Sequence, residues 1–273
     1  MIRPLQKTAI YVVLTAAAAL VLYPLFFTYA STFMTAGEAG QFPPPLLPES
    51  LYLGNLKKVM ELVPIGAFLT NSFTVSLLIM AGQLFTASLA AYAFAFVRFP
   101  GKKFVFLLFL STMMIPWEVT MIPNYLTIRS WGWTDTYAAL VVPFLATGFG
   151  TFMLRQFFMQ LPGELFEAAK IDGCGHIRCF FSIAFPLSKP GLATLGVYSF
   201  LSAWNSYLWP LLVTNDPAKR TVQIGISMLQ FEEFTSWNLV LAGVALVLLP
   251  SLLLLVLGLK QLVRGLTVGA VKG

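Results

Sequence analysis

The 273-residue sequence is 58% hydrophobic and 15% aromatic, and only 10% of it is charged. Soluble domains carry roughly 25% charged and about 45–50% apolar residues, so this balance, with a mean hydropathy of +0.81, excludes a disordered chain and argues against a soluble enzyme. The net charge of +6 does not imply nucleic acid, because the Lys and Arg residues are dispersed and not gathered on one face.

Residues 8–37 carry no charge and predict a first membrane helix at about 9–31, since a span needs about 20 apolar residues. The stretch exceeds the ~7–15-residue apolar core of a signal peptide, so it is expected to be retained. Residues 32–67 then hold Pro43, Pro44, Pro45 and Pro48 and a polar, helix-like stretch from Asn55 to Leu62. The segment reads as a docking surface or a solvated connection.

The uncharged run 62–97 predicts a second span at 68–96. Along it, Asn71, Thr74, Gln83, Thr86 and Ser88 line a translocation path or make interhelical hydrogen bonds worth about 0.6–2 kcal/mol each. A third span is predicted at 104–126, with Glu118 as its one charge. A membrane acid costs about 2.5–3.5 kcal/mol at a helix centre, so Glu118 is expected to face the path or to reach the hydrated interface. The run 136–154 predicts a fourth span at 137–158, and 190–215 a fifth at 190–213. Asn205, Ser206 and Tyr207 interrupt the fifth near its middle and are path candidates. The run 234–259 predicts a sixth at 237–259. Pro24, Pro116, Pro143, Pro210 and Pro250 are expected as tolerated kinks. Barrel strands would alternate over about 10 residues, so the expected fold class is an all-α polytopic membrane protein of six helices.

Charge sets the expected orientation. The N-terminus, the loops around 97–103 and 155–189, and the C-terminal tail hold twelve of the seventeen Lys and Arg residues. Positive charge stays cytoplasmic, so both termini are expected there. Trp131, Trp133, Trp209 and Trp237 fall near the outer span ends, where amphipathic aromatics anchor. The abundant Phe reads mostly as lipid-facing packing.

The loop 161–190 is organised differently. Pro162 and Gly163 end the fourth span, and Glu164 and Glu167 suit the first turn of a short helix. Ala168 and Ala169 favour that helix, and Asp172-Gly173 stops it, since Gly accepts the left-handed conformation past a C-terminus. A second short helix is expected from about Gly175 to Ile183, ending before Pro186. Two amphipathic helices with a sharp bend form the shape of a plug for a cleft on another protein.

Glu167-Ala168-Ala169, Asp172-Gly173, Ile183 and Pro186, in that spacing, resemble the EAA motif of ATP-binding-cassette importer permeases. Cys174 and Phe185 stand where Ala and Leu are common in that family. Asn71-Ser72, Ala90 to Ala95, Trp204-Asn205, Leu208-Trp209-Pro210 and the tail from Arg264 to Gly273 are similar to the carbohydrate-uptake, MalG-like (maltose/glycerol-3-phosphate permease) branch. The resemblance implies a type I importer permease on a bacterial inner membrane, forming half of a path for a disaccharide, amino sugar, glycerol-3-phosphate or glycerophosphodiester. It implies a second permease subunit, two nucleotide-binding ATPase subunits that bind ATP and Mg, and an extracytoplasmic solute-binding protein. Under it, Glu167, Ala168, Ala169, Asp172, Gly173, Ile183 and Pro186 meet the ATPase subunit, with Glu167 in a charge contact. Arg264, Gly265 and Lys272, in the cytoplasmic tail 260–273, reach the interface between the two ATPase subunits.

An ion-coupled secondary transporter is the alternative. It would need an intramembrane ion site, for which only Glu118 is available. Catalysis in this chain is not expected. No GxxxxGK[ST] phosphate loop occurs, and His176 is the single His. Cys174, His176 and Cys179 offer three soft ligands, fewer than the four of a structural zinc site, and two cysteines make no disulfide framework. No cofactor or metal is expected in this chain.

Overall fold

The computed structural model describes residues 4–230 and 236–267. All regular elements among the described residues are helical. Among the described residues, three helices are long and apolar enough to cross a membrane, and three bent helix pairs bring the count to as many as six. The first is α1 (Pro4–Thr32), which carries Pro24 without a break. It is followed by the short α2 (Ala36–Ala39) and by α3 (Gly54–Leu62), the polar stretch expected as a helix. Next comes α4 (Ile65–Phe96), 32 residues without interruption.

The third predicted span is not one kinked helix. It divides into α5 (Lys102–Ser111), a 3-10 turn (Thr112–Met114) and α6 (Trp117–Ser130), with 94° between the two arms. Pro116 causes the division: it offers no N–H to the helix and forces the residue before it to be extended, and Ile115 has φ −85°, ψ 114°. The fourth span divides likewise into α7 (Tyr137–Val141), a 3-10 turn holding Pro143, and α8 (Gly148–Phe158), bent by 46°. Thr147 caps α8 by accepting the Gly150 N–H at 3.3 Å.

Beyond α8 come α9 (Gly163–Ile171) and α10 (His176–Cys179). A π-helical turn (Phe180–Ala184) leads into α11 (Phe185–Leu187). The second loop helix thus continues through Pro186 instead of ending before it. Pro186 follows directly on the π-helical turn, and such a local adjustment lets a helix carry a proline. A 77° bend leads to α12 (Lys189–Trp204). The fifth span is interrupted at Asn205–Tyr207 before α13 (Leu208–Val213). Pro210 explains the gap, because its ring would clash with the carbonyl of residue 206 in a continuous helix. After α14 (Val222–Gln230), α15 (Trp237–Thr267) carries Pro250 internally and runs past the expected end at 259.

The chain forms two compact units, one of residues 1–66 and 225–250, the other of residues 67–224 and 251–273. In the first, Asn55 Nδ2 donates to the carbonyls of Thr32 and Met34 at 2.8 and 2.7 Å, while its Oδ1 accepts from Asn238 Nδ2 at 2.8 Å. This buried exchange ties the end of α1, α3 and the start of α15 together. No residue in the most apolar stretch of α1 is buried within this chain, as expected of a helix whose side chains meet lipid or another subunit. In the second unit, one core joins Tyr92, Phe158, Phe166, Phe180 and Leu195, and another joins Val75, Ile128, Leu140, Trp209 and Val213.

Candidate functional site

The segment 163–187 is built around the turn after α9. Gly173 has φ +77°, in the left-handed region. Its N–H donates to Lys170 O at 3.0 Å, and the Cys174 N–H donates to Ala169 O at 2.8 Å. This pair of bonds is a Schellman closure, which satisfies the last carbonyls of a helix. A Cβ at Gly173 would meet nothing within 4 Å, so the glycine is required by backbone conformation and not by crowding within this chain.

One face of α9 is fastened down. Phe166 is buried and stacks on Phe96 at the end of α4, with ring centroids 4.0 Å apart. Phe180 meets Tyr92 edge-on at 5.4 Å. The opposite face is open: Glu167, Ala168, Asp172 and Gly173 are exposed, and Ala169, Ile183 and Pro186 are half-buried. Ile171 and Ile177 are 87% and 78% exposed beside these charges. A helix pair anchored on one side and both apolar and charged on the other is suited to fill a cleft on another protein.

Cys179 is buried, and its Sγ lies 3.5 Å from Cys174 O. Burial, and a hydrogen bond shared with Cys174, push its thiol pKa up. No cluster of three or more His, Cys, Asp or Glu able to hold a metal exists among the described residues.

A second feature is a cavity of about 390 Å³ in the unit of residues 67–224 and 251–273. Its polar wall is Ser72, Gln83, Ser199, Ser202, Ser206 and Thr221. Its aromatic wall is Trp117, Phe144 and Trp209, packed as a triad with centroids 4.8–6.0 Å apart. Ser206 belongs to the unwound residues of the fifth span, so the break opens onto this space. Gln83 is held in place: its Nε2 donates to Phe144 O at 2.8 Å and its Oε1 accepts from Ser199 Oγ at 2.6 Å.

The other sequence-predicted residues are not gathered there. Asn71 is buried, with its Nδ2 donating to the carbonyls of Ala218 and Arg220, both at 2.9 Å. Its Oδ1 accepts from the Tyr137 hydroxyl at 2.6 Å. Its amide thus serves the connection 214–221 and α7, and Asn71 is not among the residues lining the cavity. Thr86 Oγ1 lies 2.6 Å from Leu145 O. Asn205 is exposed and bonds Leu201 O at 2.9 Å, and Tyr207 is half-buried; neither lines the cavity. Glu118 is exposed in the first turn of α6, where the positive helix end favours an acid. Arg264 and Gly265 lie within α15, and Lys272 lies outside the described residues.

Sequence reasoning also placed Trp209 as an interfacial anchor. It is instead 1% exposed, its Nε1 donating to Ala139 O at 2.9 Å. Trp117, Phe166 and Thr221 were not singled out by the sequence. The spacing of Ser199, Ser202 and Ser206, three and four residues apart on one helical stripe, was the available signal for the polar wall.

Residues 83–266 match the family described as binding-protein-dependent transport system inner membrane component. The chain is 36% identical to the sn-glycerol-3-phosphate transport system permease protein UgpE of Brucella melitensis, over 97% of each chain. It is 38% identical to the protein of that name from Pectobacterium atrosepticum, over 94% of each. Its fold is shared with a bacterial ABC transporter involved in the import of the acidic polysaccharide alginate (TM-score 0.81, 20% identity, 95% of this chain and 98% of that one). The chain belongs to the binding-protein-dependent transport inner membrane component family. It is a multi-pass permease subunit of an ATP-binding-cassette importer, and not the subunit that hydrolyses ATP. The ion-coupled alternative is set aside.

Proposed function

We propose that this subunit forms half of the translocation path for a carbohydrate or sugar-like solute and receives the work of ATP hydrolysis through residues 163–187. The observation that carries the reading is the presentation of Glu167. It stands exposed on a helix whose buried face is locked to α4 by the stacked Phe166–Phe96 pair. A lever needs such a joint: rigid toward the spans, open and charged toward the partner.

In this reading two nucleotide-binding subunits bind ATP and Mg, and their closure moves Glu167, Ala168, Ala169, Asp172 and Gly173, with Ile183 and Pro186 bracing the second helix. A second permease supplies the other half of the path, and a solute-binding protein delivers from outside. The distribution of Lys and Arg supports a cytoplasmic loop 161–190 and cytoplasmic termini, with 32–67 outside. Arg264, Gly265 and Lys272 would then meet the ATPase pair. The names of the relatives support a solute class that includes glycerol-3-phosphate, and the sequence resemblance extends that class to disaccharides, amino sugars and glycerophosphodiesters. Gln83 and Ser206 are assigned to the path, Asn205 and Tyr207 to its border, Glu118 to an outer hydrated rim, and Asn71 to anchoring.

The test is ATP-dependent uptake of sn-glycerol-3-phosphate and maltose into proteoliposomes holding the complete transporter. Glu167→Ala is expected to lower uptake of the transported solute at least several-fold while the assembly remains in the membrane. Wild-type uptake in that variant would sink the coupling role.

A further inference from the structure

We infer that the cavity beside the span-five break binds an uncharged, polyhydroxylated group, a glycosyl or polyol unit, and does not receive a phosphate. The inference rests on the importer reading above and deepens it by naming the chemistry of the passenger at this site.

Thr221 is the pointer. It is 4% exposed on the cavity wall, and its Oγ1 has no hydrogen-bond partner. A buried hydroxyl left unpaired is costly, and a solute hydroxyl entering the cavity would remove that cost. The wall nearby has matching capacity. Ser72 Oγ accepts the Val222 N–H at 2.8 Å, which leaves its own proton to offer. Gln83 has one amide proton and one carbonyl lone pair beyond its two bonds. Ser202 and Ser206 add hydroxyls on the same wall. Groups that both donate and accept are the complement of sugar hydroxyls, which do the same. Half-buried Trp117, backed by the buried Trp209, supplies flat apolar surface for the C–H face of a ring. The volume of about 390 Å³ falls in the ~300–1,000 Å³ range of small-molecule sites.

Charge decides against phosphate. No Lys, Arg, His, Asp or Glu is among the lining residues. Arg220, next to Thr221, is not on the wall and lies within the field of the Asp135 carboxylate. A phosphate drawn into this space would lose hydration without gaining a cation, and an unpaired buried charge is heavily penalised.

The experiment uses the assembled transporter in nanodiscs without its binding protein, titrated with maltose, glycerol, sn-glycerol-3-phosphate and inorganic phosphate. Tryptophan emission is the readout, and Trp117→Phe identifies the cavity's share of it. Maltose and glycerol are expected to give a saturable change that Trp117→Phe diminishes. Inorganic phosphate is expected neither to produce it nor to compete, and sn-glycerol-3-phosphate to bind no tighter than glycerol. Thr221→Val removes the hydroxyl at nearly constant volume; it should weaken maltose about five-fold, the equivalent of one hydrogen bond, with the thermal midpoint unchanged or raised. Saturable phosphate binding, tighter sn-glycerol-3-phosphate than glycerol, no response to maltose and glycerol, or unchanged maltose affinity in Thr221→Val would each overturn the proposal. The importer reading fails separately, through Glu167 and ATP-dependent uptake, neither of which depends on Thr221.

Discussion

Phe166 stacks on Phe96 with ring centroids 4.0 Å apart and planes inclined by 27°, so α9 cannot shift without pulling on the end of α4. Truncating a buried Phe to Ala typically costs about 3–5 kcal/mol, and here the loss falls on the joint between α9 and α4. Phe166→Ala is expected to lower the thermal midpoint and to reduce solute carried per ATP hydrolysed. Phe166→Leu should recover part of both. Measuring uptake and phosphate release in the same proteoliposomes checks this, and an unchanged ratio in Phe166→Ala would argue that the stack is not part of the drive.

At Gly173 the expected effect comes from the backbone alone. The left-handed conformation at φ +77° costs an L-residue roughly 1–2 kcal/mol, and a β-branched one more, while the space around it is open. Gly173→Asn should therefore be tolerated, because Asn visits this region readily. Gly173→Val should reopen the Schellman turn and impair uptake while membrane insertion proceeds. Equal uptake by the two variants would contradict this account.

The two thiols report both orientation and burial. An impermeant maleimide should leave intact cells unlabelled and should label Cys174 in inverted vesicles. Cys179 should react several-fold more slowly, because it is buried and its thiol pKa is raised by that burial and by its bond with Cys174. Cys174→Ser isolates the slow reaction. Labelling of either residue from outside intact cells would reverse the proposed orientation of the loop.

These relationships show which features the chain declares locally. The Gly173 stop and the helix at Gly54–Leu62 were legible because turn chemistry and polarity act over a few residues. Apolar runs announced the spans, but the size of each break was not legible. Pro116 marks a place where a helix must yield, and the 94° turn is realised with Trp117 packed on Phe144 and Trp209. Asn205 to Tyr207 read as a polar interruption; that they unwind the helix depends on Pro210 downstream. Trp209 was misplaced because an amphipathic aromatic near a span end has two possible partners, lipid headgroups or a buried carbonyl, and only the fold brings Ala139 to it. Thr221 had no local signature, since its position on the cavity wall depends on residues far away in sequence.

Acid should loosen the segment around α2. The Glu38 carboxylate accepts the Glu49 N–H at 2.8 Å and the Thr35 N–H and hydroxyl, both at 2.7 Å. The Glu49 and then the Thr35 backbone bonds hold its pKa below the ordinary 4.5. A carboxylate with a depressed folded-state pKa stabilises fully above its unfolded value, and loses that contribution as pH falls through the folded one. Hydrogen exchange at Thr35 and Glu49 should therefore be pH-independent in its protection above about 4.5 and should weaken below it. Glu38→Gln should abolish that acid-dependent step. Protection that persists in wild type at pH well below the ordinary carboxylate range would show that these bonds do not need the charge.

Asn71 separates anchoring from transport. Its amide satisfies the carbonyls of Ala218 and Arg220 and the Tyr137 hydroxyl together, and the Tyr137 ring in turn lies 4.5 Å beneath Lys219 Nζ. Asn71→Leu leaves two carbonyls and a phenol to find other partners, each at about 1–3 kcal/mol if it stays buried and unpaired. A loss of roughly 3 kcal/mol is expected, read as a lower thermal midpoint and faster proteolysis near residues 214–221. Tyr137→Phe removes one bond only and should cost about 0.5–1.5 kcal/mol. Because Asn71 is off the cavity wall, the KM for solute in the surviving folded fraction should stay at the wild-type value in both variants. A raised KM in Asn71→Leu at wild-type stability would return Asn71 to the translocation path.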